Sequence, residues 1–135
     1  MQNKALGLLG ISYKGGNVQI GEEPVGNAAQ TGKARLIILA SDAADHSVRR
    51  ARSFASLHET PLIQIEADKD RLGAVFGRTS VAMLTITDIF LAERFLTVLS
   101  DDRFADELQA VREKAETMKR RKREKQRSKG LKGKK

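Results

Sequence analysis

Short, unbroken apolar runs alternate with longer amphipathic segments along most of this chain. The runs at residues 35–40, 62–65 and 80–86 are rich in β-branched residues, which is typical of strands covered on both faces. A very short strand is also predicted at Val18–Ile20, where two apolar residues alternate around Gln19. The pattern therefore predicts a sheet whose main strands are buried.

The amphipathic segments between these runs predict helices. Four of the predicted helices cover residues 5–11, 44–57, 69–76 and 88–99, and Gly77 ends the third of these. Another helix begins after Gly21 and stops at Gly32. Asp42 and Asp88 stand where two of these helices start, and we expect their carboxylates to accept hydrogen bonds from the first backbone N–H groups. Strands that alternate with helices of about 8–14 residues indicate an α/β layered sandwich.

A thinner apolar stripe follows the last of these helices. It predicts a helix over residues 101–117 and consists of Phe104, Leu108 and Val111. This stripe would either dock back on the body of the protein or meet a partner helix. We therefore expect two parts, which are a body over residues 1–100 and a charged C-terminal helix with a basic tail over residues 101–135.

Positive charge is concentrated in the tail. The chain has 25 Lys and Arg against 17 Asp and Glu, but eleven of these basic residues and one acidic residue lie in residues 119–135. The formal net charge of +8 thus divides into about +10 in the tail and −2 in the rest of the chain, which is nearly neutral. From Met118 onward there is no apolar face, which predicts a solvated helix or a disordered segment. Coil is favoured at its end by Ser128, Gly130 and Gly133.

Composition excludes most catalytic chemistries. There is no cysteine, so disulfides, thiolate metal sites and Cys nucleophiles are absent. His46 and His58 lie about twelve residues apart without a carboxylate motif, so the sequence predicts no enzyme, no metal site and no cofactor. No apolar run reaches the roughly 18–20 residues that cross a bilayer, and the N-terminus has no signal-peptide pattern. We therefore expect a cytoplasmic protein that does not engage a membrane.

An ordered set of short motifs follows the spacing of a known family. The set consists of Leu9-Gly10, Tyr13-Lys14-Gly15-Gly16, Gly21-Glu22-Glu23, residues 32–40, Asp42-Ala43, Pro61-Leu62 and residues 72–77. Over roughly residues 4–99 the chain resembles the kink-turn RNA-binding ribosomal protein family, the L-seven-Ae superfamily, and within it the bacterial YlxQ-like branch. The resemblance implies a three-layer α-β-α sandwich with a four-stranded mixed sheet.

The resemblance also implies an RNA-binding site. Such proteins grip sharply bent RNA with the start of the helix after the first strand and with the loop after the Leu-Gly-x-x-x-Gly helix. The residues of this chain at those places are Gly21, Glu22, Glu23, Asn27, Arg78, Thr79, Ser80 and Val81, and Lys14 and Lys33 flank the same expected face. Backbone N–H groups at a helix start are aligned donors for phosphates and base edges. The implied partner is structured RNA, either ribosomal RNA or another kink-turn-like RNA, and we expect a monomer that associates with the ribosome.

The start of this helix departs from the pattern of strong kink-turn binders. Those proteins present Asn, then Glu, then Lys three positions later, whereas Glu23, Pro24 and Asn27 stand here. One lost phosphate contact costs on the order of 1 kcal/mol and about one unit of salt dependence. Glu22 and Glu23 are therefore either acids that read RNA or charges that favour a helix N-terminus. Arg78 likewise either clamps a phosphate or is simply solvated.

Two functions from different classes fit the sequence. The first is an RNA-binding, translation-associated protein that recognises bent RNA by its shape, with the basic tail adding phosphate contacts. The alternative is a protein-interaction module of the same fold, whose tail is a non-specific anchor. Positive potential around Lys14, Lys33 and Arg78 would favour the first function over the second.

Overall fold

Helices and strands alternate along the residues that this computed structural model describes, which are 2–132, with side chains described for residues 3–127. The helices are α1 (Gln2–Lys14), α2 (Glu22–Gln30), α3 (Asp45–Ser56), α4 (Lys69–Val75), α5 (Ile89–Leu99) and α6 (Ala105–Lys132), and a 3₁₀ turn at Asp102–Phe104 precedes α6. The strands are β1 (Val18–Ile20), β2 (Leu36–Leu39), β3 (Leu62–Gln64) and β4 (Met83–Ile86). Each predicted strand and helix is found, and α1 is longer than the predicted range of 5–11.

Within the described residues the strands form one four-stranded mixed sheet in the order β1-β4-β2-β3. Strand β4 is antiparallel to both of its neighbours, whereas β2 and β3 are parallel and are connected through α3. Ile20 and Leu39, near the ends of β1 and β2, therefore lie beside the start of β4. We call this end of the sheet, at which β1 and β2 finish and β4 begins, the Gly21 end, because Gly21 follows β1 there. The opposite end of the strands, where β2 begins after Arg35 and β4 finishes, is the Arg35 end.

Helices cover both faces of the sheet and give the expected three-layer α-β-α sandwich. On one face α1, α4, α5 and α6 share a core with Leu36, Ile38 and the fully buried Phe95. On the other face α2 and α3 pack against Ile37 and Leu39. Successive residues of β2 thus point into two different cores, which is why the sequence shows an unbroken apolar run there.

The two predicted helix caps have different outcomes. Asp88 caps α5 as expected, because its carboxylate accepts hydrogen bonds from two backbone N–H groups of the first turn, at 2.9 and 3.0 Å. The prediction for Asp42 is wrong, since Ala44 is the residue at the N-cap of α3. The Asp42 carboxylate instead accepts from the backbone N–H of Lys69 at 2.8 Å. It therefore ties the segment after β2 to the start of α4.

The apolar stripe of the C-terminal helix docks back on the body. Val111 and Ala115 are fully buried in the core beside α5, and Phe104 and Leu108 pack against the same core. Burying these side chains removes apolar surface from water and fixes the first half of α6 on the sandwich. The stripe is thus covered by this chain and is not left for a partner helix.

Helix α6 continues beyond this contact as far as Lys132. The expected coil at Ser128 and Gly130 is therefore wrong, and Gly133 lies outside the described residues. The second half of α6 is rich in Lys, Arg, Glu and Gln, whose summed helix propensity outweighs one serine and one glycine. Within residues 2–132, no helix combines the length and the apolar character needed to cross a membrane.

Candidate nucleic-acid interface

The start of α2 is held at the Gly21 end of the sheet. Gly21 has φ 98° and ψ 162°, and this positive φ is one that glycine adopts readily but residues with a side chain rarely do. The residue turns the chain from β1 directly into α2. Its N–H donates to the carbonyl oxygen of Met83 at 2.9 Å, and its own carbonyl oxygen accepts from the N–H of Val25 at 3.0 Å. Glycine has no side-chain acceptor, so no side-chain bond caps this helix. The first N–H groups of α2 are thus available to an external anion or base edge.

The loop at residues 78–82 adjoins the start of α2, because it leads directly into the first residue of β4. Its backbone is fixed by two hydrogen bonds to α4. The N–H of Arg78 donates to the carbonyl oxygen of Gly73 at 2.8 Å, and the N–H of Val81 donates to that of Lys69 at 3.0 Å. Two segments that are more than about fifty residues apart in sequence therefore lie together at the Gly21 end.

Three of the four predicted loop residues face solvent. Arg78, Thr79 and Ser80 are exposed, as a contact surface requires. Val81 is only 3% exposed and belongs to the core between the sheet and α1, α4 and α5, so its side chain does not reach the surface where the resemblance implied an RNA contact. Its apolar, β-branched side chain turns inward where the loop enters the sheet. A substitution of Val81 would therefore test folding rather than recognition.

Tyr13 on α1 contacts Arg78 of this loop, a contact that the sequence did not predict. The Tyr13 hydroxyl lies 3.4 Å from an Nη atom of Arg78. The Tyr13 ring packs edge-on against Phe76, with 5.3 Å between the ring centroids and an interplanar angle of 75°. The Arg78 side chain is thus guided by an aromatic residue 65 positions earlier, a separation for which the sequence carries no periodic signal.

Glu22 has a partner within the protein. Its carboxylate accepts a hydrogen bond from Nε of Arg50 on α3 at 2.5 Å, and the two side chains are 40% and 60% exposed, respectively. The guanidinium of Arg50 also lies over the Phe54 ring, 5.5 Å from its centroid. This ion pair joins α2 to α3 across 28 residues, and sequence analysis missed Arg50 because nothing in the α3 pattern sets it apart from its neighbouring arginines.

The remaining predicted residues fall into two separate grooves. Glu23, Asn27 and Lys33 line one polar groove along the exposed side of α2 and the edge strand β1. Lys14 instead lines a groove between α1 and α4, together with Arg71. The structure thus brings three of the predicted residues together beside α2 and places Lys14 elsewhere.

The basic part of α6 leaves the body at the Arg35 end. Just before α6, Arg103 lies 3.6 Å from Glu66, which follows β3 at the Gly21 end. Val111, further along α6, lines a pocket with Arg35 and Pro61. Helix α6 therefore runs from the Gly21 end toward the Arg35 end. At a rise of 1.5 Å per residue, Lys119 lies about 12 Å beyond Val111 along the helix axis. The basic segment thus projects away from the start of α2.

A four-stranded mixed sheet in this order with helices on both faces defines a small α-β-α sandwich protein, and the start of α2 beside the loop at residues 78–82 gives it a candidate contact surface. Residues 3–94 match the Ribosomal protein L7Ae/L30e/S12e/Gadd45 family, and the chain belongs to this family. The family includes RNA-binding ribosomal proteins, and its members are not enzymes. The family predicted from the motif order is therefore confirmed.

Two individual proteins are similar to this chain. The chain is 30% identical over 81 residues to the large ribosomal subunit protein eL30 of Candida albicans, an alignment that covers 59% of this chain and 76% of that protein. A solved structure of a protein of unknown function from Bacillus halodurans superposes with a TM-score of 0.67 at 24% identity, covering 73% of this chain and 98% of the other. This structural likeness shows the shared fold.

Proposed function

We propose that this protein binds a sharply bent, structured RNA, either ribosomal RNA or another RNA with a kink-turn-like bend, in association with the ribosome or translation. The hydrogen bond between Gly21 and Met83 carries the proposal, because it holds the start of α2 beside the loop at residues 78–82. Membership of a family that includes RNA-binding ribosomal proteins supports it. The proposal includes a monomeric protein in the cytoplasm.

Bent RNA suits this surface for a physical reason. A kink exposes unstacked bases and non-canonical pairs, which polar side chains and backbone N–H groups can read. The N–H groups at the start of α2 are donors for phosphates or base edges, and the exposed Arg78 offers a planar, charged fork for a phosphate. Since the two segments are fixed relative to each other, they form one rigid surface that a bent RNA of matching shape would contact at both places.

The basic part of α6 would contact a different stretch of the same RNA. Residues 119–127 contain seven Lys or Arg and one Glu, and all of them are exposed. Contacts between such side chains and phosphates are independent of sequence and strongly dependent on salt. Because α6 projects from the Arg35 end, we propose that it binds RNA flanking the bend rather than the bend itself.

The test compares affinities for a kink-turn RNA and for a straight duplex of equal length. We expect the unmodified protein to prefer the kinked RNA. Arg78→Ala should lower this preference about fivefold, because one charge-assisted contact contributes roughly 1 kcal/mol. Arg94→Ala is the matched control, since Arg94 is exposed on α5 and carries the same charge. It should leave the preference unchanged.

Equal affinity of the unmodified protein for both RNAs would refute shape recognition. An equal effect of the two arginine substitutions would mean that only net charge matters and would remove the loop from the interface. Unfolding in urea, measured on each variant, separates lost recognition from lost structure.

A further inference from the structure

A second polar groove lies between α2 and α3, beside the proposed interface. Its lining includes Glu22, Glu23 and Asn27 from α2, and Arg50 and Phe54 from α3. Glu23 and Asn27 also line the groove along β1, so the exposed side of α2 faces both depressions. A ligand that sits on the first turns of α2 would therefore reach Arg50.

Charge at the start of α2 is unfavourable for RNA if α2 is considered alone. Glu22 and Glu23 place two carboxylates in the first turn, next to the N–H groups that would receive a phosphate. Like charges repel at such short range, and the repulsion would oppose the attraction of the helix N-terminus. A nearby cation is needed, and Arg50 is the cation that the tertiary structure brings to this groove.

The Arg50 side chain is held from two sides. Its Nε–H donates to Glu22, and its guanidinium lies over the Phe54 ring. The ring itself is seated against Gly26, where an added Cβ would lie only 2.9 Å from a ring carbon. A guanidinium has five N–H groups, so the four on the two Nη atoms remain for another acceptor. An arginine that is already oriented loses less conformational freedom when it binds.

We propose that Arg50 binds a backbone phosphate of the RNA, and that Glu22 is its positioning partner rather than a residue that reads bases. This inference rests on the proposed RNA-binding function and adds a contact from α3 to it. The planar fork of Arg50 matches two phosphate oxygens. The groove would then hold the RNA backbone between the start of α2 and α3.

The experiment measures affinity for a kink-turn RNA across a range of salt concentrations. Arg50→Ala should weaken binding about fivefold and lower the slope of log affinity against log salt by about 0.7–0.9, the value for one phosphate contact. Arg52→Ala is the matched control, because Arg52 is exposed on the same helix but lies about 200° around it. It should have a much smaller effect on both quantities.

Two further variants separate phosphate binding from a structural role. Glu22→Gln keeps a side-chain oxygen that can accept from the Arg50 Nε–H, so Arg50 stays positioned, and it removes a negative charge; affinity should therefore be unchanged or higher. Asn27→Lys adds a cation to the same groove, and its gain in affinity should be larger in the Arg50→Ala protein than in the unmodified protein. Arg50→Lys keeps the charge but not the fork, so its affinity should lie between those of the unmodified and Arg50→Ala proteins.

Three results would overturn the inference. The first is an equal effect of Arg50→Ala and Arg52→Ala. The second is a loss of affinity in Glu22→Gln as large as that in Arg50→Ala, which would mean that the pair only holds α2 against α3. The third is a gain from Asn27→Lys that is independent of Arg50. Each of these leaves the proposed function intact if the unmodified protein still prefers kinked RNA, whereas loss of that preference would refute the proposed function itself.

Discussion

Gly73 on α4 is the residue on which the loop at residues 78–82 rests, and Gly73→Ala tests that packing directly. A Cβ added at this position would lie 2.6 Å from the carbonyl oxygen of Arg78. It would also lie 2.8 Å from the backbone nitrogen of Ser80 and 2.9 Å from the carbonyl carbon of Thr79. All three neighbours are backbone atoms, so relief requires movement of the loop and not the rotation of a side chain.

The magnitude follows from two opposing effects. Alanine in place of glycine within a helix stabilises by roughly 0.5–1 kcal/mol when nothing obstructs the methyl group. Gly7 on α1 is such a position, because nothing lies within 4 Å of an added Cβ. At Gly73 the overlap with the loop outweighs this gain, since overpacking costs typically 1–3 kcal/mol. We therefore expect Gly7→Ala to raise the free energy of unfolding by about 0.5–1 kcal/mol and Gly73→Ala to lower it by about 1–3 kcal/mol.

Urea unfolding of the two variants and of the unmodified protein measures this difference. The same samples are assayed for binding to kinked and straight RNA. Displacing the loop moves Arg78 away from the start of α2, so Gly73→Ala should also lose part of its preference for kinked RNA, while Gly7→Ala keeps it. If Gly73→Ala proved as stable as Gly7→Ala and equally selective, the loop would not depend on its contact with α4.

Three further predictions concern other parts of the molecule. Asp88→Ala removes both hydrogen bonds that cap α5 and should cost about 1 kcal/mol in urea unfolding, whereas Asp88→Asn, which keeps an acceptor, should cost less. Removal of residues 119–135 should weaken binding to all RNAs alike and flatten the dependence of log affinity on log salt; a loss of preference for kinked RNA would show instead that the tail reads shape. Gly26→Ala brings a Cβ within 2.9 Å of the Phe54 ring, which can turn aside. Its destabilisation in urea should therefore stay below about 1 kcal/mol, and a cost equal to that of Gly73→Ala would contradict this reasoning.

The order of secondary structure could be predicted from the sequence because each element carries its own local pattern. The apolar run at residues 35–40 contains β2 (Leu36–Leu39), since a strand buried on both faces needs apolar residues at every position. Asp88 was recognised as a cap because its hydrogen bonds reach only two and three residues ahead. The order of the motifs was sufficient to identify the family, which matches residues 3–94 of this chain.

Contacts between elements were decided by the tertiary structure alone. Asp42 resembles a helix cap locally, but packing of α4 brings the N–H of Lys69 to its carboxylate from 27 residues away. Val81 belongs to a loop by its position in the chain, yet the turn into β4 directs its side chain into the core. Glu22 meets Arg50 because α2 and α3 share one face of the sheet. Residue spacing encodes neighbours within a helix or a strand, whereas the partners of a site residue depend on how separate elements pack, and local periodicity carries no record of that packing.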